Sequence, residues 1–189
     1  MNYFLGLGCK DVRVMRSLMI TDGFNRREYG WNDSVMIGGN FVSWYGGFDS
    51  YIVASEIGYP MSAPSMGRKH EQEDSIEDIE YLPYMSWREW IETLGNYNIG
   101  VHLMRTHAAG TFAMNCGFHG IPCIGYKGLD TQEILHPLTT IEVGDLEKAK
   151  DIALRLNDDK FYKLCSETSI ERFNQYYTED AWKKNWSKE

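Results

Sequence analysis

The chain has 189 residues, 43% of them hydrophobic, which bounds it to one core-forming domain with short extensions. Six Trp, twelve Tyr and eight Phe argue against disorder. A net charge of −8 argues against a nucleic-acid partner, which needs a basic face, but leaves room for a local site that takes a small anion.

Residues 1–30 read as a linker-like segment. In "DVRVMRSLMI", Val12 and Val14 alternate with Arg13 and Arg16, which suits a short strand or an extended linker. "SVMIGGNF" is a compact apolar run that ends in Gly38-Gly39 and predicts a buried strand entering a loop. Phe48, Tyr51, Ile52 and Ser55 then recur at helical spacing, with Gly58 as the stop. "YPMSAP" predicts a further strand in spite of its two prolines. Residues 67–80 are the most polar stretch and predict a solvated loop. "EYLPYM" reads as a strand, and Ser86 with Glu89 forms a capping box. Trp87, Trp90, Ile91 and Leu94 make one face of the helix that follows, which Gly95 ends. "NIGVHLM" is the next strand.

The stretch from Arg105 to Tyr126 carries the chemistry. Arg105 to Gly110 forms the loop at that strand's carboxyl end, a helix runs from Gly110 to Phe118, and "IPCI" begins a strand. Ala109, Phe112, Ala113 and Cys116 share the face that meets the sheet, while Thr111 and Asn115 lie on another, in line with His107. A helix N-terminus at the carboxyl end of a strand offers unpaired amides and the positive end of a dipole to a phosphate. Ala108, Ala109 and Gly110 leave room for close approach, and His107 and Arg105 add donors. The other reading is structural, with Gly110 allowing close packing and His107 capping the helix.

"TTIEV" is the last strand. Asp145 caps a helix through Leu156, with Leu146, Ala149, Ile152 and Ala153 on one face. Two closing helices follow. Strands alternating with helices predict an α/β fold, a Rossmann-like doubly wound parallel sheet flanked by helices. The boundaries are a linker-like segment at 1–30, the Rossmann-like domain at 31–176 and a closing helix at 177–189.

Smaller signals read blandly. The four cysteines lack metal spacing and suit small buried residues in a reducing compartment. With no long apolar segment the expectation is a cytoplasmic protein, although the tail "AWKKNWSKE" has the composition to rest on a membrane surface. His102 alternates with apolar neighbours and reads as a satisfied core histidine. His119 reads as a helix-end residue favoured by the dipole, and His70 and His136 as solvent-facing. There is no G-x-S-x-G elbow and no G-x-G-x-x-G fingerprint.

The order of these pieces resembles the C-terminal, donor-binding domain of a GT-B nucleotide-sugar glycosyltransferase across nearly the whole chain. "VMIGGNFVSWYGGFDSYIVA" resembles the first strand, glycine loop and helix, and "HAAGTFAMNCGFHGIPCIGY" the phosphate-binding helix with the strand after it. "GLDTQEIL" resembles the acidic loop that follows. The resemblance implies that a UDP- or GDP-sugar binds as substrate, with no permanently bound cofactor and no metal. His107 and Asn115 fall on the two acidic positions of the family's E-x7-E pattern. His107 and Arg105 are implied to contact the diphosphate, and Glu133 the sugar or ribose, with Asp130 and Gln132 close by. The base is implied to rest against about Leu82 to Met85, including Tyr84. Gly38, Gly39, Asn40, Gly110 and Thr111 complete the implied donor site. Asn40 and Tyr45 stand where the family often has cations, and the family's acceptor domain has no counterpart in the chain. The implied partner is therefore an N-terminal acceptor domain or a separate chain. Two alternatives are a non-catalytic nucleotide-binding or interaction module, and a fragment of a sugar-nucleotide epimerase.

Overall fold

The computed structural model describes residues 2–10, 12, 16–28, 32–39, 41–42, 45–64, 76–106 and 110–186. Val14 and Arg13, Asn40, His70 with the most polar part of the charge run, and residues 107–109, which include His107, lie outside the described residues.

One six-stranded sheet organises the chain. Its strands are β1 (Val35–Ile37), β2 (Met61–Pro64), β3 (Ile79–Leu82), β4 (Ile99–His102), β5 (Cys123–Tyr126) and β6 (Thr140–Ile141). Every pairing is parallel, and the order is β3-β2-β1-β4-β5-β6. This is the Rossmann-like doubly wound sheet expected, with its strand order reversing between β1 and β4. The helices among the described residues are α1 (Asn2–Gly6), α2 (Gly47–Ser55), α3 (Trp87–Leu94), α4 (Thr111–His119), α5 (Asp130–Leu135), α6 (Leu146–Arg155), α7 (Asp159–Tyr176) and α8 (Glu179–Trp186).

The two faces of β1 sort its side chains. Val35 and Ile37 enter a core with Val53 and Ala54 of α2, Ala149, Ile152 and Ala153 of α6, and Tyr162 of α7. Met36 points the other way, into a core with Leu94 of α3 and Phe112, Ala113 and Cys116 of α4. That is the period-2 alternation of a strand covered on both faces by helices. β1 pairs with β2 only at Met61 and Ser62, so Pro60 and Pro64 bracket that ladder and their missing N–H groups do not interrupt it.

Local signals hold at several ends. The Ser86 Oγ accepts from Glu89 N, and the Glu89 carboxylate accepts from Ser86 N at 2.8 Å, which is the capping box. Asp145 caps α6 through Lys148 N. Two expectations need correction. The buried side of α2 is Gly47, Ser50, Val53 and Ala54, while Phe48 and Ile52 of the expected stripe are exposed. "GLDTQEIL" is not a loop throughout, because Asp130–Leu135 is a short helix.

The segment before β1 is strapped onto the domain. The Arg27 guanidinium donates to the carbonyls of Tyr97 and His119 and to the Tyr162 hydroxyl, and Met19 N donates to Tyr177 O. Among the described residues no helix is long and apolar enough to cross a membrane.

Candidate functional site

The loops after β1 and β4 diverge at the strand-order reversal, and a cleft of about 470 Å³ opens there. Ligands of open α/β sheets bind at this place for a topological reason, since only there do adjacent loops leave a crevice. Gly39 contributes from the β1 end and Pro64 from the β2 end. Pro83, Tyr84 and Met85 follow β3, Trp87 and Trp90 come from α3, and His102 and Met104 from the β4 end. Gly110, Thr111, Phe112 and Asn115 form the mouth of α4.

That mouth is built for close approach. Gly110 is the N-cap of α4 in the left-handed region, at φ 62°, and as a glycine it brings no side chain to cap the helix. The first turn of α4 carries no acidic residue. The first amides of an α-helix have no intrahelical acceptor, so this end presents donors and a partial positive charge. A side chain at Gly110 could not be accommodated, because its Cβ would land on the Thr131 hydroxyl.

The opposite wall is aromatic. Tyr84 is 79% exposed and Trp87 is exposed beside it. Asn115 links the two walls. With its amide oxygen toward α3 it accepts from Trp90 Nε1 at 2.9 Å, and its nitrogen donates to Thr111 O at 3.1 Å. The cleft can therefore hold a flat apolar group on one side and an anion on the other. Among the described residues, neither Lys nor Arg, and neither Asp nor Glu, lines it.

The residues singled out by sequence divide into two groups. Gly39, Tyr84, Gly110, Thr111 and Asn115 line the cleft together, and Gly38 lies buried beneath it. Arg105 stands outside the lining and is paired with Asp49, which keeps the guanidinium firmly charged. Glu133 is exposed, and its carboxylate accepts from Gly128 N at 2.8 Å. Asp130 is exposed at the start of α5. Gln132 is buried, and its amide donates to Cys123 O. Asn40 and His107 lie outside the described residues.

The histidines depart from the sequence reading. His136 is buried rather than solvent-facing, with Nε2 2.9 Å from Ala113 O and Nδ1 accepting from Cys123 N. His119 is buried too, with Nε2 2.8 Å from Ile91 O and Nδ1 accepting from Arg27 N. Burial pushes both down to about 4, so neither is a cation serving a helix dipole at neutral pH. His102 lies in the strand as expected but is not satisfied, since its buried Nε2 has no hydrogen-bond partner among the described residues. Cys116, Cys123 and Cys165 are buried, whereas Cys9 is exposed. Among the described residues no cluster of three His, Cys, Asp or Glu side chains could hold a metal ion.

Sequence reasoning missed Pro64, Trp87, Trp90, His102 and Met104 as parts of the cleft. The strand order was the missing information, because it places the ends of β2 and β4 on either side of that of β1, with β3 next to β2.

No family model matches the sequence, and no curated protein matches it either. Solved structures do match. The lipopolysaccharide outer core galactosyltransferase WaaB aligns with a TM-score of 0.68 at 13% identity, over 98% of this chain and 57% of its own. A glycosyltransferase from Rickettsia africae ESF-5 gives 0.64 at 12% identity, over 81% of this chain and 46% of its own. The Anabaena protein HepE, solved in complex with UDP and glucose, gives 0.63 at 12% identity, over 82% of this chain and 47% of its own. The chain thus spans between 46% and 57% of the length of these three structures. At such identities the likeness shows the fold, which is the Rossmann-like α/β fold found in GT-B glycosyltransferases.

Proposed function

We propose that the chain is the donor-binding part of a glycosyltransferase and that it binds a nucleoside-diphosphate sugar, a UDP- or GDP-sugar, in the cleft between the β1 and β4 loops. One observation carries this reading. A helix mouth whose N-cap is a glycine and an exposed aromatic wall face the same cleft at the strand-order reversal. A nucleotide sugar has the matching parts, a flat base and a diphosphate. The Anabaena structure with this fold, solved with UDP and glucose, supports the assignment of ligand class.

In this reading the base rests against Pro83, Tyr84 and Met85. The diphosphate lies on the amides at the start of α4, beside Gly39 and Gly110, where preorganised donors stabilise the charge that develops on the leaving diphosphate. His107, three residues before Gly110 in sequence, is the further candidate for that contact. Asn115, on the cleft lining, is assigned to the ribose side, and Glu133 with Asp130 is assigned to the sugar side by the resemblance alone, since both stand outside the lining. The bond broken is that between the anomeric carbon and the diphosphate oxygen, and the acceptor oxygen takes its place. The acceptor and the group that removes its proton belong to a further domain or a partner chain.

Isothermal titration calorimetry with UDP-glucose, GDP-glucose, UDP and GDP tests this reading. Binding of one nucleotide series in preference to the other supports it. Absence of heat for all four at millimolar concentration ends it. A non-catalytic nucleotide-binding module is the second reading, favoured by the lack of a cationic side chain among the described residues of the cleft lining. Binding without transfer, tested with the complete set of chains, would select it.

A further inference from the structure

His102 ends β4 at the carboxyl edge of the sheet, is 8% exposed and lines the cleft. Two contacts fix its ring. Phe112 meets it edge-on, with ring centroids 5.3 Å apart and planes at 75°. Gly38 and Gly39 also lie against it. A Cβ on Gly38 would fall 2.9 Å from the His102 Cγ, and a Cβ on Gly39 3.0 Å from its Nε2. Gly39 is in the left-handed region at φ +82°, so the chain has a backbone reason for glycine there, and the ring has a steric one.

Nε2 thus lies beside the space that a Gly39 side chain would fill, at a residue that also lines the cleft. It has no partner among the described residues. A buried nitrogen in that state costs free energy to the unliganded fold, and an apolar side chain of similar size would not. A cost of this kind, placed on the wall of a ligand cleft, is explained when the ligand supplies the missing partner.

We propose that His102 is a ligand-contacting residue whose Nε2 hydrogen-bonds an oxygen of the donor beyond its nucleoside, lodged between Gly39 and the mouth of α4. The proposal rests on the donor-binding reading above and adds a specific contact to it. Burial pushes the imidazole down to about 4, so it acts as an uncharged hydrogen-bonding group at neutral pH. It therefore complements the amides of α4 without placing a cation in the cleft. The oxygen belongs either to the diphosphate or to the sugar, and the two sources separate by ligand.

The test uses the chain as it is, with the His102→Leu and His102→Gln variants. Calorimetry is run with UDP-glucose, UDP and uridine, and with the guanine series in parallel. His102→Leu is expected to melt at the same or a higher temperature than the wild type without ligand, yet to bind the diphosphate ligand about tenfold more weakly, the loss of one hydrogen bond to a charged or polar group. Nucleoside affinity is expected to stay unchanged. His102→Gln, whose amide nitrogen reaches close to the Nε2 position, is expected to recover part of the loss. Equal losses for UDP and UDP-glucose place the oxygen on the diphosphate, and a loss for UDP-glucose alone places it on the sugar. Full affinity in His102→Leu overturns the assignment, as does a parallel loss of melting temperature and binding, which marks a structural role. Nitrogen chemical shifts of the wild-type histidine ring give an independent readout, and an Nε2 signal unmoved at saturating nucleotide also overturns it. A wild type that binds no nucleotide ends the donor-binding reading itself, and the His102 assignment with it.

Discussion

Arg105 Nη2 lies 2.7 Å from Asp49 Oδ2, and Arg105 Nε donates to the same oxygen at 3.0 Å. The Tyr126 hydroxyl donates to that oxygen as well, at 3.2 Å. The guanidinium that follows the cleft-lining Met104 is therefore committed to the first turn of α2. An exposed pair of this kind contributes little to stability, about 0–1 kcal/mol. Its effect is to neutralise a charge beside the proposed diphosphate site. Arg105→Ala is expected to weaken UDP binding by less than about threefold. Asp49→Asn is expected to tighten it by a similar factor and to steepen its salt dependence, because the released cation is screened. A tenfold loss in Arg105→Ala, read by calorimetry, would show that the guanidinium leaves Asp49 for the ligand.

Gly110 is expected to be intolerant of substitution for two separable reasons. Its φ of 62° strains any other residue, and a Cβ would meet the Thr131 hydroxyl. Gly110→Ala should cost about 1–3 kcal/mol in urea denaturation. Thr131→Ala in the same background should return the steric part and leave the backbone part. Full recovery in the double variant would refute a backbone requirement, and no recovery would refute the clash.

Much of this was legible in the chain. The strands showed because apolar runs such as Val35–Ile37 end at glycine loops, and α3 showed because Ser86 and Glu89 spell its start. Gly39, Tyr84, Gly110, Thr111 and Asn115, named from chain order, all line the cleft. The buried side of α2 was not legible, because its packing surface is made of small residues. Ser50 accepts from Leu103 N at 2.8 Å and donates to Gly46 O, which brings α2 close to β4. Phe48, the larger residue, instead meets Phe41 edge-on near the surface. His136 looked exposed because it precedes Pro137. Its two partners, Ala113 and Cys123, sit 23 and 13 residues away, and only the tertiary fold brings them together.

Three buried histidines give the protein a definite acid response. His102, His119 and His136 are each held down at about 4, against an ordinary value near 6.5, with desolvation as the leading cause. A depressed folded-state value means that the unfolded chain binds protons first as pH falls. The stability contributed is fully present above about 6.5 and is lost as pH falls toward 4. Each such histidine accounts for up to about 3 kcal/mol over that window. The melting temperature should therefore drop between pH 7 and 5, before most carboxylates protonate. His102→Leu should flatten that part of the profile. A wild-type melting temperature constant from pH 7 to 5 would contradict burial of these rings in the neutral form.

The aromatic wall gives a prediction in which stability and binding part company. Tyr84 is 79% exposed, so its ring has little of its surface buried in the unliganded fold, and removing it should leave the melting temperature within error of the wild type. If a base stacks there, the same removal forfeits a contact worth about 1–3 kcal/mol, by analogy with bases stacked on aromatic side chains in nucleic-acid complexes. Tyr84→Ala should then weaken nucleoside and nucleotide binding alike, by about tenfold. His102→Leu differs in sparing the nucleoside, so the two variants separate the base end of the cleft from the phosphate end. Trp87 and Trp90 line the same cleft and provide the signal, since a ligand that enters should change their emission. A Tyr84→Ala chain that binds uridine and guanosine as the wild type does would move the base away from the β3 loop. An unchanged tryptophan signal during a titration that releases heat would move the ligand out of this cleft altogether.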